Sequence, residues 1–176
     1  MRHLITRTLM KLKRLFLLTS LLTLIDASAN AMCVTGNPAE AAQTFYAGHA
    51  NFLSETPKGL RGIVGSRLLA LLYLEYDCPK GELCAIDADP WTDTQDGKIT
   101  EPLTYKVLKN SANKATVQMG YLFEIGEGPL LEKHALMEFE RSAERSCWML
   151  SDVIGPNEGS LLQHLARWHT KYGKHR

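Results

Sequence analysis

The stretch ATVQMGYLFEI, residues 115–125, alternates apolar and polar side chains over eleven positions. This period of two predicts a β-strand with one face turned to a hydrophobic core. Residues 103–107 (LTYKV) show the same alternation, and a short polar turn at 110–113 separates the two stretches. Two further strands are expected at about 132–141 and 147–153. Because the connections between consecutive strands are short, the four strands should form an antiparallel meander.

Upstream of these strands the apolar period changes from 2 to 3.6. Asn37 and Pro38 form a helix start, with an N-cap asparagine followed by proline at the first helical position. Apolar residues then recur at three- and four-residue spacing from 42 to 53, which predicts a first helix with one buried face. A second helix is expected from about Leu60 to Tyr76.

A third helix is expected near the end of the chain. Ser160 followed by Gln163 is typical of a capping box, and an apolar stripe follows. Helices at the two ends and strands in the middle predict a single α+β domain. We expect a curved four-stranded antiparallel meander sheet with two N-terminal helices and one C-terminal helix.

The first 31 residues have the pattern of a cleaved signal peptide. Three basic residues precede the apolar run LFLLTSLLTLI, and ASANA at 27–31 supplies small residues before a cut after Ala31. The predicted organisation is therefore a leader at 1–31, one domain at 32–170 and a basic tail at 171–176. We expect the protein to be periplasmic or secreted, without membrane association after the leader is removed.

Charge argues against a nucleic-acid partner. The leader would take with it five of the 20 Lys and Arg residues and one of the 19 Asp and Glu residues. The mature chain would keep 15 basic against 18 acidic residues, a net charge of −3. A basic surface is the usual mark of nucleic-acid binding, and the mature chain does not have the charge for one.

All four cysteines lie after the predicted cut. In an oxidising compartment four cysteines indicate two disulfides, for which three connectivities exist. We expect a local Cys78–Cys84 bridge and a long-range Cys33–Cys147 bridge that ties the N-terminal segment to a late strand. Zinc is the alternative, but the spacing of Cys78 and Cys84 does not suit it and no histidine pair is near.

The acidic stretch DADPWTDTQDGKIT, residues 87–100, contains a fragment that resembles a calcium loop. When Gly97 is aligned with the invariant glycine of an EF-hand, Thr92, Thr94 and Leu103 fall at ligand positions 1, 3 and 12. The bidentate carboxylate is therefore missing. A solvated loop whose aspartates cap turns is favoured, and an irregular calcium cage stays open as an alternative.

Two stretches carry a resemblance to a known family. DADPWTDTQD, with Asp89-Pro90-Trp91 followed by Gln95-Asp96, is similar to the Asp-Pro-Phe/Trp and Gln-Asp signature of the family called domain of unknown function 3828. WMLSDVIGPNEGSLLQHL at 148–165 resembles that family's other recurring stretch. The family consists of small exported bacterial proteins. The resemblance implies a cone-shaped α+β fold of the nuclear-transport-factor-like or cystatin-like kind, and it implies no activity.

The residues offer little for catalysis. The sequence has no Gly-x-Ser-x-Gly elbow and no phosphate-binding glycine loop, and its cysteines are expected in disulfides. Glu138 and Glu140 share one face of a strand, where a solvent-exposed row is favoured over an acid pair in a cleft. We therefore expect no catalytic residues, no cofactor and no metal, and regard an enzyme as the weaker hypothesis.

Two functional hypotheses follow. The first is an exported, non-catalytic binding module with a protein partner, such as an immunity or inhibitor protein against a periplasmic, wall-degrading enzyme. Its contact surfaces would be the concave face of the sheet and an acidic loop that includes Asp89, Trp91, Asp93, Gln95 and Asp96. Trp91 could instead plug the mouth of the concave face. The sequence leaves the partner's identity and the oligomeric state open.

The alternative is a small-molecule carrier or hydrolase with a pocket inside the cone. Tyr46, His49 and Tyr73, together with Asp96, would be its pocket residues. An interior filled by large aromatic side chains would leave this pocket no room.

Overall fold

The structure is a computed structural model that describes residues 33–78, 84–157 and 159–173. The predicted leader at 1–31 lies outside the described residues. The elements in chain order are helix α1 (Pro38–His49), a short 3₁₀ helix (Phe52–Ser54), helix α2 (Ser66–Tyr76), strands β1 (Lys98–Asn110), β2 (Lys114–Glu124), β3 (Leu131–Arg141) and β4 (Trp148–Ile154), and helix α3 (Leu161–Tyr172).

The four strands form one antiparallel sheet in the order β1-β2-β3-β4. Val117 on β2 lies opposite Val107 on β1 and Met137 on β3, so their side chains point to the same face. The predicted α+β meander is confirmed. The period-two pattern of residues 115–125 also identified the buried positions of β2 correctly, since Val117, Met119 and Phe123 are buried.

All three helices contribute to a single core on one face of the sheet. Leu68 of α2 and Leu165 of α3 are fully buried in the same cluster as Val117 and Met137. Burial of this apolar surface is the main driving force for the fold. It also corrects one expectation: the sheet face that carries Val117 and Met137 is covered by the helices, so it does not form a contact surface.

Helix α2 begins later than predicted. Residues 56–65 form turns instead of the first helical turns, and Gly62 there has a positive φ of 85°. This segment runs beside β4, where Leu150 N donates to Ile63 O and Gly65 N donates to Leu150 O. The apolar residues that suggested a longer helix are buried because they cover the edge of the sheet.

The chain at 33–36, here called the N-terminal segment, lies against β4. Trp148 N donates to Val34 O at 2.9 Å, and a Cys33–Cys147 disulfide joins the two at the start of the strand. A second disulfide joins Cys78 to Cys84. Both predicted pairings are confirmed.

Helix α3 begins as the capping pattern predicted, with Ser160 at the N-cap accepting a hydrogen bond from Gln163 N. The helix continues through Lys171 and Tyr172, so the first residues of the predicted basic tail are helical instead. Among the described residues no helix is long and apolar enough to cross a membrane.

Candidate functional site

Residues 85–97, here called the acidic segment, connect the Cys78–Cys84 disulfide to β1 without regular secondary structure. Trp91 fixes its centre. The indole is only 2% exposed, and its Nε1 donates to Ala50 O at 2.7 Å. Its ring packs edge-on against Tyr46 and Phe52 at centroid distances of 5.2 and 5.7 Å. Trp91 is therefore a plug of the core, and its interpretation as an exposed contact residue is wrong.

The aspartates around Trp91 organise a tight turn. Asp89 Oδ1 accepts from Trp91 N at 2.7 Å, and Asp89 N donates to Thr94 O at 2.9 Å. Asp93 N donates to Asp89 O at 2.8 Å, and Asp93 has a φ of 54°. Asp and Asn tolerate this left-handed conformation better than most residues. These bonds match the prediction of turn-capping aspartates.

Asp93 connects the acidic segment to the turn before α3. Its Oδ2 accepts from Asn157 N at 2.8 Å, and its carboxylate packs directly over Gly155, where a Cβ atom would overlap it. The glycine is required for this close approach. The two stretches that carry the family resemblance are thus in direct contact, although they lie about sixty positions apart in the sequence.

Asp152 on β4 binds the start of α3. Its Oδ1 accepts from Val153 N and Leu162 N at 2.8 and 2.9 Å, while Ser160 Oγ donates to its Oδ2. A carboxylate at a helix N-terminus satisfies free N–H groups and is favoured by the helix dipole. The turn that receives Asp93 is therefore held at its far end as well.

The other end of the acidic segment is held by α2 and α3. Glu75 Oε1 accepts from Ile86 N at 2.8 Å, and Glu75 Oε2 lies 3.3 Å from His169 Nε2. His164 Nε2 lies 2.7 Å from Ala85 O. A carbonyl oxygen only accepts, so this nitrogen of His164 must carry the proton. In the sequence, Glu75 lies on the apolar stripe of its helix. A charged residue in that position was the one sign that Glu75 has a structural partner.

Two depressions flank the acidic segment. The first, here called the cleft, has a volume of about 160 Å³ and lies between the segment and α3. The second, here called the groove, has a volume of about 430 Å³ and lies between the segment and the end of α1. Residues 86–90 line both, so they form a ridge between them. Asp93 faces the cleft, and Gln95 faces the groove.

Several charged groups around the ridge have no partner in the part of the chain that the structure describes. The side chains of Asp87 and Asp96 are exposed and form no hydrogen bond or ion pair there, and the same holds for the side chain of Arg167 on α3. Burial raises the pKa of Asp89 above its usual value; the hydrogen bond from Trp91 N opposes this shift, and the charge of Asp93 adds to it. The segment therefore concentrates negative charge.

The structure does not assemble the alternative pocket inside the cone. Tyr46 packs on Trp91, and burial followed by the charge of Asp89 raises its pKa. His49 Nδ1 lies 3.0 Å from Glu55 Oε1, while Tyr73 OH accepts from Arg61 Nε at 3.2 Å. The three side chains have separate partners, and Trp91, on which Tyr46 packs, lies in a buried aromatic cluster with Phe45 and Phe52.

The acidic residues do not converge on a metal site. Within the described ranges no three His, Cys, Asp or Glu side chains lie close enough together to hold an ion. Glu138 on the outer face of the sheet accepts from Thr116 Oγ1 at 3.2 Å, which fits the structural role favoured for that row.

Comparison with known proteins found no family model, no curated protein and no solved structure that matches this chain. The resemblance to the domain of unknown function 3828 stays a prediction from the two stretches. The feature that bears most directly on function is therefore the geometry of the acidic segment.

Proposed function

We propose that the chain is an exported binding module, without catalytic activity of its own, that contacts a protein partner through the exposed side of the acidic segment. One observation carries this proposal: the segment is fixed to the core at its start, centre and end, yet within the described residues the carboxylates of Asp87 and Asp96 are exposed and have no partner.

A fixed segment binds at lower entropic cost than a mobile one. Association immobilises side chains and loops, and a preorganised surface has already lost that freedom during folding. Trp91, Asp93 and Glu75 supply the preorganisation here, since each connects the segment to a different element. The exposed carboxylates can then meet a partner in one geometry.

The charge of this surface defines the partner's chemistry. From Glu75 to Glu101 the sequence has eight acidic residues against two lysines. A basic partner surface would be complementary and would be steered toward the segment during encounter. The groove, with Asn51 and Ser54 on one side and Gln95 on the other, offers a place for one large side chain of that partner.

The expected compartment further limits the kinds of protein that could be the partner. Two disulfides agree with an oxidising environment, and the predicted leader would deliver the chain there. An immunity or inhibitor protein that binds a basic-surfaced, wall-degrading enzyme fits a small, rigid and acidic module of this kind. The partner's active site would be blocked, and the module would need no catalytic group.

Affinity capture from periplasmic extract, with the natural chain as bait, tests the proposal. We expect one stoichiometric protein, released by salt and lost when Asp87→Lys and Asp96→Lys are combined, because charge reversal opposes a basic surface. Asp93 is unsuitable for reversal because its carboxylate holds the Asn157 turn.

The matched control combines Glu127→Lys with Glu144→Lys, which makes the same change of net charge at exposed turns elsewhere. Equal loss of the partner in both double variants would show a response to total charge and would contradict the surface assignment. A bait that retains no protein at all would contradict the binding-module proposal.

A further inference from the structure

The cleft on the α3 side of the acidic segment has charged walls of opposite sign. Ser160, His164 and Arg167 occur at spacings of four and three, which places them on one face of the helix start. Asp87 and Asp89 lie on the facing wall. Each wall presents a charged group that has no ion-pair partner among the described residues, Arg167 on one side and Asp87 on the other.

The separation of these charges is maintained by the surrounding structure. His164 Nε2 donates to Ala85 O and Glu75 Oε1 accepts from Ile86 N, so the acidic wall is tied to both helices at its beginning. Asp93 and Asn157 tie it to the start of α3 at its other end. Opposite charges thus face one cavity without meeting across it.

The space between the walls suits a small molecule. A volume of about 160 Å³ is several times the roughly 30 Å³ that one water molecule takes up in the liquid, so the cleft has room for a small organic molecule. Between the charged groups the lining is apolar, with Ala88, Pro90 and Leu161. A ligand would therefore need a cationic end, an anionic end and a short aliphatic body.

We propose that the cleft binds a small aliphatic zwitterion, of the class of free α-amino acids, with its ammonium toward Asp87 and Asp89 and its carboxylate toward Arg167. The aliphatic side chain would lie on Ala88 and Leu161. This site is distinct from the groove on the α1 side, and it does not depend on a protein partner.

Neighbouring groups support this orientation. Asp89 is partly desolvated and lies near the charge of Asp93, so an ammonium group there would relieve repulsion between carboxylates. Arg167 lines the cleft with a guanidinium group, which stays charged at neutral pH and can pair with a carboxylate.

Titration calorimetry of the natural chain with L-valine tests the site. We expect saturable one-to-one binding. 3-Methylbutyrate lacks the ammonium group and isobutylamine lacks the carboxylate, and each should bind at least about tenfold more weakly, because each loses charge-assisted hydrogen bonds. No saturable heat with valine, or equal affinity for either analogue, would overturn the proposal.

Two single variants assign the walls. Arg167→Gln and Asp87→Asn should each weaken valine binding by about tenfold or more. The matched controls are Arg67→Gln, another exposed helical arginine, and Asp96→Asn, an exposed aspartate that lines neither depression.

All four side chains are exposed and form no hydrogen bond or ion pair within the described part of the chain, so thermal unfolding should be unchanged and each variant should be folded during the test. Unchanged binding in Arg167→Gln would overturn the proposal even if valine binds elsewhere on the protein. Loss of the protein partner in the capture experiment would not affect this result, so the two proposals can fail separately.

Discussion

The acidic segment and the N-terminal segment are fastened in similar ways but differ in what they leave free. Each is an irregular stretch of chain next to a disulfide, and each is held by a hydrogen bond from the indole N–H of a buried tryptophan. Trp91 belongs to the acidic segment itself and donates to Ala50 O, whereas Trp148 belongs to β4 and donates to Gly36 O in the N-terminal segment.

The two segments differ in the chemical groups that hold them to the rest of the protein. The N-terminal segment uses its carbonyl groups: Val34 O accepts from Trp148 N, and Thr35 O accepts from Arg141, which also stacks on the Trp148 ring at 4.0 Å. It covers a sheet edge and presents no charge of its own. The acidic segment is fixed through the side chains of Trp91 and Asp93 and through backbone groups of Ala85 and Ile86, and it leaves the carboxylates of Asp87 and Asp96 exposed. Similar contacts therefore serve different purposes. In the N-terminal segment they cover a sheet edge, and in the acidic segment they hold exposed carboxylates in place.

One of the two largest effects should come from removing the Trp91 side chain. Trp91→Ala should lower the free energy of unfolding by about 3–5 kcal/mol, since a large cavity replaces a buried aromatic side chain. Chemical denaturation measures the change, and limited proteolysis should reveal new cleavage within the acidic segment. Trp168→Ala, at a half-buried position on α3, should cost clearly less. A similar loss in both variants would contradict the plug assignment.

The two disulfides should differ in strength. In the chain-entropy account, the Cys33–Cys147 bridge, with a sequence separation of 114, should contribute about 4–5 kcal/mol, and the Cys78–Cys84 bridge, with a separation of 6, about 2 kcal/mol. Paired Cys→Ser variants at each bridge, compared by denaturation, check the order. If loss of the short bridge is the more damaging, the acidic segment contributes more to the fold than the N-terminal segment.

Two glycines, Gly155 against the acidic segment and Gly36 in the N-terminal segment, should show a smaller difference in stability between the two regions. Gly155→Ala places a methyl group against the Asp93 carboxylate and should cost about 1–3 kcal/mol. Gly36→Ala meets nothing within 4 Å and should stay within about 0.5 kcal/mol of the natural chain. Thermal unfolding of both variants tests this expectation. Equal stability of the two would show that the Asp93 contact can relax.

The smallest expected effect concerns tyrosines beneath the acidic segment. Burial, and to a lesser extent Tyr46, raises the pKa of Tyr105 to about 12, and burial followed by the Asp89 and Asp93 charges raises the pKa of Tyr121. The protonated phenols are favoured in the folded state. Their contribution is fully present below the ordinary pKa of 10.0 and is lost as pH rises toward 12.

Tyr121→Phe should therefore show a smaller decrease in stability across this alkaline range. At neutral pH it should lose about 1 kcal/mol, because Tyr121 OH donates to Trp91 O. Tyr73→Phe, with a hydroxyl bonded at the surface, serves as the control. An unchanged alkaline profile in Tyr121→Phe would show that this phenol does not contribute.

The fold was predictable where periodicity is strong and local. The alternation at 115–125 identified β2, and Ser160 with Gln163 identified the start of α3. The prediction failed at residues 60–65, because apolar residues that cover a strand edge look the same as the first turns of a buried helix face.

The site was predictable only in part, for a similar reason. Asp89 and Asp93 were identified from composition, but their roles depend on partners far away in the chain, such as Asn157. The exposure of Trp91 was left open because burial of a loop side chain is decided by tertiary packing. Arg167 had no mark in the sequence, since its importance arises from the cleft that α3 forms with the acidic segment.

The nested arrangement of the disulfides bears on how the reduced chain reaches its native pairing. Closing a loop of 6 positions costs much less entropy than closing one of 114, so the Cys78–Cys84 bond should form first during oxidation. Once it has formed, Cys33 and Cys147 have only each other left. This order of oxidation leads to the native disulfide pairing without reshuffling. Cys33, the first cysteine in the sequence, would pair last, with Cys147.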